Sequence, residues 1–140
     1  MKIFTNGCFD ILHRGHIDLL RYCDSLVKLS HPSGGKVVVG LNSDASIKRL
    51  KGESRPINNE KDRKLLLESL RFVDEVIIFH EDTPRDLIKK LGPDIVVKGG
   101  DWKAEQVSKI VDFPMEKIKI FGYIDQLSSS NIINRIKTQQ

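Results

Sequence analysis

Short runs of β-branched and aromatic residues alternate along this chain with longer segments in which apolar residues recur at helical spacing. The short runs are residues 2–5, 36–41, 75–79, 94–98 and 117–121. Several are apolar at consecutive positions, as in Val37-Val38-Val39, which is typical of strands buried on both faces of a parallel sheet. The alternation predicts an α/β fold, a Rossmann-like five-stranded parallel sheet with helices on both faces.

Capping signals set the expected helices. The first helix is predicted to begin near Gly15 and to end before a break at His31-Pro32. The second helix is predicted after Asn42-Ser43-Asp44 as far as Leu50, and the third from Glu60, capped by Asn59, to about Phe72. The fourth is predicted from Thr83-Pro84 to Gly92-Pro93, and the fifth over residues 104–111. The last is predicted after Ser128-Ser129-Ser130, with Ile132, Ile133 and Ile136 on its apolar face. Without an internal repeat or a linker, residues 1–140 are expected to form a single domain.

Composition excludes several classes of protein. A chain of 140 residues, 39% hydrophobic and 30% charged, is expected to be one soluble globular domain. No apolar run is long enough to cross a bilayer, and no secretory signal is visible, so we expect no membrane partner. Two cysteines make no disulfide framework, which favours a reduced, cytoplasmic setting. The net charge of +4 suits an anionic ligand but is too small and dispersed to indicate nucleic acid.

The predicted sheet brings four loops to one edge. Ligands of such sheets bind at the carboxyl ends of the strands, near the point where the strand order reverses. The loops concerned follow Thr5, Leu41, Lys98 and Phe121.

The first of these loops contains two histidines, His13 and His16, with Gly15 between them just where a helix is predicted to begin. A helix N-terminus has unpaired N–H donors and a partial positive charge, which makes it an anion site. Two imidazoles beside it could donate hydrogen bonds to phosphoryl oxygens and stabilise the charge that builds as a phosphorus–oxygen bond breaks.

Two other interpretations of this loop are open on local grounds. It could be an ordinary strand-to-helix turn with two surface histidines. A metal site of Cys8, His13 and His16 with Asp10 has suitable ligand types, but no second Cys or His pair completes a zinc pattern. Cys8 is a weak candidate nucleophile, because Cys is common as a small buried residue.

Two motifs resemble a known family. Gly7-x-Phe9-Asp10-x-x-His13-x-Gly15-His16 is similar to the signature of the cytidylyltransferase-like nucleotidyltransferases, which join a nucleoside triphosphate to a phosphorylated small molecule. The segment Ser128 to Ile136 resembles the family's C-terminal serine/threonine motif.

Further motifs resemble one subfamily, the adenylyltransferases that act on D-glycero-β-D-manno-heptose 1-phosphate and belong to lipopolysaccharide biosynthesis. They are Gly40 to Ser46, Arg49 to Gly52, Arg55 to Asn58, Glu81 to Pro84 and Val97 to Asp101. That enzyme is often the C-terminal half of a bifunctional kinase–adenylyltransferase, whereas here it would stand alone. Glycerol-3-phosphate cytidylyltransferases share the end motifs and Asp101-Trp102. They usually carry an arginine before the serine motif, where this chain has Tyr123, Asp125 and Gln126.

The resemblance implies roles for individual residues. His13, His16 and Lys51 would be catalytic. The nucleotide would be bound by Thr5, Asn6, Gly7, Cys8, Phe9, His13, Gly15, His16, Lys51, Gly99, Gly100, Asp101, Trp102, Ser128, Ser129 and Ser130. The acceptor would be bound by Asp10, Arg55 and Arg63, of which the two arginines could instead bind the triphosphate.

Plainer roles remain open for several of these residues. Lys51 could be a solvated lysine, and Gly99-Gly100 an ordinary tight turn. Trp102 could be a core side chain rather than a wall for a base. Arg63 could lie on a solvated helix face, and Asp10 could only close its own turn.

The resemblance implies in-line transfer of a nucleoside monophosphate from ATP, or from CTP, to a phosphorylated acceptor with release of pyrophosphate. Mg²⁺ would come with the nucleotide, since the charge of a triphosphate is normally shared with a metal. A homodimer is expected. The alternatives are a cytidylyltransferase acting on glycerol 3-phosphate or a phosphoalcohol, and a non-catalytic nucleotide-binding regulatory module.

Overall fold

The computed structural model describes residues 1–30, 33–122 and 128–139. Its strands are β1 (Lys2–Gly7), β2 (Lys36–Asn42), β3 (Glu75–Phe79), β4 (Ile95–Gly99) and β5 (Ile118–Phe121). Its helices are α1 (Arg14–Ser30), α2 (Asp44–Lys51), α3 (Glu60–Glu68), α4 (Arg85–Leu91), α5 (Ala104–Val111) and α6 (Ser129–Thr138), with a 3₁₀ turn at Met115–Lys117. The predicted break at His31-Pro32 lies outside the described residues.

The five strands form one parallel sheet in the order β3-β2-β1-β4-β5. The chain builds outward from β1 to β3, then returns to the other side of β1 with β4. The order therefore reverses between β1 and β4, and a crevice opens there at the carboxyl edge. The predicted Rossmann-like fold is confirmed.

Each face of the sheet is covered by different helices. Ile3, Val37 and Val39 face α1 and α3, where Leu20 and Leu67 complete one core cluster. The side chains alternate across the strands, so the opposite face presents Phe4, Val38 and Val96, which pack against Ile88 of α4 and against Val107 and Val111 of α5. Helices on both faces leave only the strand ends open to a ligand.

The first strand is longer than predicted. Asn6 and Gly7 were expected to end it as a turn, but they pair in register with Gly40 and Leu41 of β2. The extension carries β1 to the rim of the crevice, and the turn comes at Phe9 instead. Phe9 adopts a φ of 45°, a left-handed conformation uncommon for a bulky residue.

Helix α3 is shorter than the predicted span to about Phe72. It ends at Glu68, and Ser69 donates its hydroxyl hydrogen to the Leu65 carbonyl. Such a local hydrogen bond competes with the helical ladder. Turn hydrogen bonds from Leu70 to Leu67 and from Val73 to Leu70 then lead into β3.

The last helix packs less deeply than its apolar face predicts. None of the residues of α6 is fully buried, and Ile136 is exposed. Within the described part of the chain, no helix combines the length and the apolar character that a bilayer crossing needs.

Candidate active site

A cleft of about 780 Å³ lies at the carboxyl edge of the sheet. It is lined by side chains and backbone from five segments: Asn6–Asp10 with His13, Gly15 and His16; Lys51 and Arg55; Asp82–Pro84; Lys98–Gly100 with Trp102; and Gly122 with Ser128, Ser129 and Ser130. All four predicted loops contribute to this cleft. The loop after β3, which carries Asp82–Pro84, is an addition that strand order did not single out.

The two histidines form a stacked pair at the start of α1. Their ring centroids are 3.8 Å apart, with 24° between the ring planes. The backbone N–H of His13 donates to Nδ1 of His16 (3.3 Å), and the backbone N–H of Gly15 donates to Nδ1 of His13 (3.1 Å). Because both Nδ1 atoms accept a hydrogen bond, each neutral ring carries its proton on Nε2. Both Nε2–H groups are therefore available as donors.

Burial keeps the pair uncharged. Burial, with smaller contributions from the positive charges of His13 and Lys51, lowers the pKa of His16 from 6.5 to about 3. Burial also lowers the pKa of His13. Neither imidazole is poised to gain a proton at neutral pH, so the pair suits hydrogen-bond donation rather than acid–base exchange.

Phe9 supports His16 from below. Its ring is buried, lies 5.1 Å from the His16 ring between centroids, and contacts the backbone at Gly7. A Cβ on Gly7 would come within 3.1 Å of this ring, so glycine permits the close approach. The strained φ of Phe9 thus lies directly beside the histidine pair, where such strain is commonly found.

Asp10 is a structural hub rather than the closure of its own turn. Its buried carboxylate accepts hydrogen bonds from the backbone N–H groups of Ile57 and Asn58, both at 2.8 Å, and from Nε of Arg55 at 3.2 Å. The Asn58 side chain donates to the Asp10 carbonyl. One carboxylate therefore fixes the 55–58 segment against the histidine loop.

Arg55 is held from two sides and keeps one donor group unused. Its Nε pairs with Asp10, and Nη1 lies 3.4 Å from Oγ of Ser130. Its Nη2 is buried and, among the residues that the structure describes, has no hydrogen-bond partner. Arg55 also lines the cleft, so its positive charge lies beside any anion bound there.

Arg63 is placed differently from both expectations. Its side chain is 0% exposed, so the solvated helix face is wrong, and it does not line the cleft. Its guanidinium donates to the carbonyls of Asn58, Cys8 and Asn42, at 2.8–2.9 Å, and to the Asp44 carboxylate. These partners come from separate segments, which Arg63 locks together beneath the site.

The three serines have distinct tasks at the start of α6. Ser128 caps the helix by accepting from the Asn131 N–H. Ser129 exchanges hydrogen bonds with the backbone of Ile11 (3.3 and 3.2 Å), and Ser130 reaches Arg55. The N-terminus of α6 is therefore docked against the histidine loop, and both open into the same cleft. Tyr123, Asp125 and Gln126 lie outside the described residues.

The loop after β4 supplies the other wall. Gly99, Gly100 and Trp102 line the cleft, and Trp102 is 40% exposed, so it is not a core side chain. Gly100 has a φ of 106°, which favours glycine, and its N–H donates to the Phe121 carbonyl. Asp101 and Thr5 do not line the cleft. The Thr5 hydroxyl is buried in the sheet and has no hydrogen-bond partner among the described residues.

Lys98 is a cleft residue that the sequence analysis assigned no role. Its ammonium lies 5.4 Å from the centroid of the Trp102 ring. Burial lowers its pKa, Cys8 opposes this shift, and Lys51 adds to it. Within the described residues, Lys98 takes part in no ion pair. Its position directly before Gly99-Gly100, at a strand end, was the available signal.

Over residues 1–30, 33–122 and 128–139, no three or more His, Cys, Asp or Glu side chains are grouped so that they could hold a metal ion. Asp10, among the suggested ligands, is committed to the 55–58 segment.

Known proteins resemble the chain over most of its length. In Campylobacter curvus (strain 525.92), a protein named bifunctional protein HldE is 53% identical over 137 residues, covering 96% of this chain and 27% of the relative. Its namesake in Campylobacter concisus (strain 13826) is 50% identical over 137 residues, with the same coverage of both chains. The chain therefore spans about a quarter of the length of these curated relatives.

Solved structures agree on the fold. The lipopolysaccharide core biosynthesis protein from Thermoplasma volcanium GSS1 matches with a TM-score of 0.65 and 29% identity, covering 89% of this chain and 96% of that chain. A protein with unknown function from Archaeoglobus fulgidus matches with a TM-score of 0.57 at 16% identity, with 87% of this chain and 98% of that chain covered. The second likeness concerns the fold alone.

A family model described as cytidylyltransferase-like matches residues 4–135. This match covers the first motif, the serine motif as far as Arg135 and the segments between them, and it confirms the nucleotidyltransferase resemblance. The chain belongs to the cytidylyltransferase-like family.

Proposed function

We propose that this chain is an adenylyltransferase that joins AMP from ATP to D-glycero-β-D-manno-heptose 1-phosphate and releases pyrophosphate, a step in lipopolysaccharide biosynthesis. The observation that carries the proposal is the stacked, neutral His13–His16 pair in one cleft with the N-terminus of α6, in which neither Nε2–H group is hydrogen-bonded to a described residue. The sugar follows from the subfamily motifs and from the 50% and 53% identity to the HldE proteins. The expected homodimer stays a prediction.

The proposed reaction needs no general base. An oxygen of the sugar phosphate, already ionised, attacks the α-phosphorus of ATP while the bond from that phosphorus to the α–β bridging oxygen breaks. Pyrophosphate leaves with the electron pair of that bond. His13 and His16 donate their Nε2–H groups to the non-bridging α-phosphoryl oxygens, whose charge is stabilised without any reorganisation of the site.

Cationic groups receive the departing pyrophosphate. Lys51 lies at the C-terminal end of α2 and lines the cleft. Arg55 lines the same cleft and adds its positive charge, and the N-terminal N–H groups of α6 add backbone donors. The contact between Arg55 and Ser130 places Arg55 beside the N-terminus of α6, in the same cleft as Lys51.

Mg²⁺ would be held by the triphosphate oxygens as part of the nucleotide substrate. The donor set favours this arrangement, since the described residues bring no group of carboxylates or imidazoles together as a metal site. The ion would share in neutralising the pyrophosphate charge.

The test is a panel of ATP, CTP, GTP and UTP against heptose 1-phosphate, glycerol 3-phosphate and other phosphorylated acceptors, scored by pyrophosphate release. We expect ATP with heptose 1-phosphate to give the highest kcat/KM. Preference for CTP with glycerol 3-phosphate would replace the proposal with the cytidylyltransferase alternative. Nucleotide binding without pyrophosphate release from any pair would indicate a regulatory module.

The role of the histidine pair is tested separately. His16→Ala should lower kcat by about 10²–10³-fold, the usual cost of losing one donor to a developing charge. His80→Ala is the matched control, since His80 is an exposed histidine that does not line the cleft. A near-normal rate for His16→Ala, with its fold intact, would refute the assigned role.

A further inference from the structure

The loop after β3 lines the cleft but takes no part in the reaction described above. Asp82, Thr83 and Pro84 belong to it, and α4 begins directly afterwards. The subfamily resemblance includes this segment without giving it a task. The inference drawn from it below rests on the proposed function, because it concerns the acceptor of that reaction.

Several contacts hold this loop in place. Arg49 of α2 donates from Nε to Oδ1 of Asp82 at 3.0 Å, and its Nη2 donates to the His80 carbonyl. Ser46 donates its hydroxyl hydrogen to the Glu81 carbonyl at 3.1 Å, and the buried side chain of Asn42 donates to that same hydroxyl. The carboxylate of Asp82 is thus presented from a braced backbone rather than from a loose loop.

Asp82 differs in charge from the rest of the cleft. Lys51, Arg55 and Lys98 are cationic and suit phosphates, whereas the Asp10 carboxylate is buried and paired with Arg55. Asp82 is 62% exposed, and in the described structure its Oδ2 accepts no hydrogen bond. A carboxylate repels phosphate but accepts hydrogen bonds from hydroxyl groups. It therefore suits an uncharged, hydroxyl-rich part of a substrate.

The loop lies apart from Trp102, the side chain that the family resemblance would place against the nucleobase. It follows β3, the edge strand, and β2 and β1 stand between β3 and the β4 end that carries Trp102. Apolar side chains of Val96, Val107 and Val111 also line the cleft on the α5 side. Apolar surface with a few fixed polar groups is the usual composition of a small-molecule site. We propose that Asp82 and Thr83 bind the hydroxyl groups of the acceptor sugar and determine which sugar phosphate is accepted.

The test compares Asp82→Asn and Thr83→Val with the wild-type chain, varying heptose 1-phosphate at saturating ATP and then ATP at saturating heptose 1-phosphate. We expect Asp82→Asn to raise the KM for the sugar phosphate by about 10- to 100-fold, the range for one charge-assisted hydrogen bond. The KM for ATP should stay within about twofold, and Thr83→Val should have the same selectivity with a smaller effect, since a neutral hydrogen bond is weaker.

Asp112→Asn is the matched control. Asp112 is also an exposed carboxylate paired with an arginine, Arg85, at 3.4 Å, but it does not line the cleft. Its φ of 52° is one that asparagine tolerates. Both KM values of this variant should match the wild type.

Singly deoxygenated sugar 1-phosphates locate the contact. With the wild-type chain, the analogue that lacks the bound hydroxyl should show the same rise in KM as the full sugar shows with Asp82→Asn. With Asp82→Asn itself, removing that hydroxyl should raise the KM no further. An unchanged sugar KM in an active Asp82→Asn variant, or a raised KM for ATP alone, would overturn the inference and leave the proposed function standing. A wild-type chain that releases no pyrophosphate with any sugar phosphate would overturn both.

Discussion

The low pKa of His16 makes a quantitative prediction about folding stability. The folded-state pKa is about 3, whereas the ordinary value, taken for the unfolded chain, is 6.5. Above pH 6.5 the imidazole is neutral in both states and has no effect. Between pH 6.5 and 3 only the unfolded chain binds the proton, so the free energy of unfolding falls as the pH falls, by about 1.4 kcal/mol per unit.

The magnitude at a convenient pH follows from these two values. Between pH 8 and pH 5, His16 should lower the free energy of unfolding by about 2 kcal/mol. His16→Gln removes the titrating group and keeps a polar side chain of similar length. The loss of stability between pH 8 and pH 5 should therefore be about 2 kcal/mol smaller in the variant than in the wild-type chain.

Urea denaturation at both pH values, followed by circular dichroism, measures the difference. The m-value should be the same for the two proteins, so that the comparison concerns stability and not the compactness of the unfolded chain. A titration of the histidine ring signals by NMR provides an independent measure of the His16 pKa. Equal pH dependence in the two proteins, or a His16 midpoint near 6.5, would refute the burial of a neutral imidazole pair.

Three other substitutions test the surroundings of the site. Arg63→Lys should lower the free energy of unfolding, measured by denaturant titration, by about 2–4 kcal/mol, because a lysine cannot replace the several hydrogen bonds of a buried guanidinium. Unchanged stability with a raised KM for the sugar phosphate would instead indicate that Arg63 contacts the ligand. Arg55→Met should weaken binding of a non-hydrolysable ATP analogue by about tenfold or more in calorimetry, since a positive charge that lines the cleft is lost; unchanged binding would contradict its role. Lys98→Met should weaken the same binding by about tenfold, whereas Lys119→Met, at an exposed position of β5, should not.

Much of the fold follows from local signals. Consecutive apolar residues such as Val37-Val38-Val39 mark a strand covered on both faces, and caps such as Asn59 mark helix starts. Both signals act within a few residues, so they are legible in one sequence. The histidine loop was predictable for the same reason, because Gly15 and both histidines lie within one turn of the start of α1.

Arg63 shows what local signals miss. On α3 it is surrounded by other charged residues, so its side chain has no visible reason to turn inward. Its burial depends on three carbonyl oxygens that come together only when β1, β2 and the 55–58 segment have assembled. Because these carbonyl groups are far apart in the sequence, the spacing of residues along the chain does not reveal that they meet at Arg63.

The loop after β3 was missed for a different physical reason. The rule for parallel sheets directs attention to the strand ends next to the reversal of strand order, and β3 is the edge strand farthest from it on that side. The cleft nevertheless extends to Asp82, whose carboxylate is held by Arg49 of α2.

The hub at Asp10 has a consequence for how ligands arrive. One buried carboxylate joins the histidine loop to the 55–58 segment, and Arg55 links that segment onward to α6. The half of the cleft that we propose for the phosphates is therefore held in place by the fold itself, so binding a nucleotide there would immobilise few further side chains. Because these segments all depend on the Asp10 carboxylate, its loss would loosen two loops and the start of α6 at once.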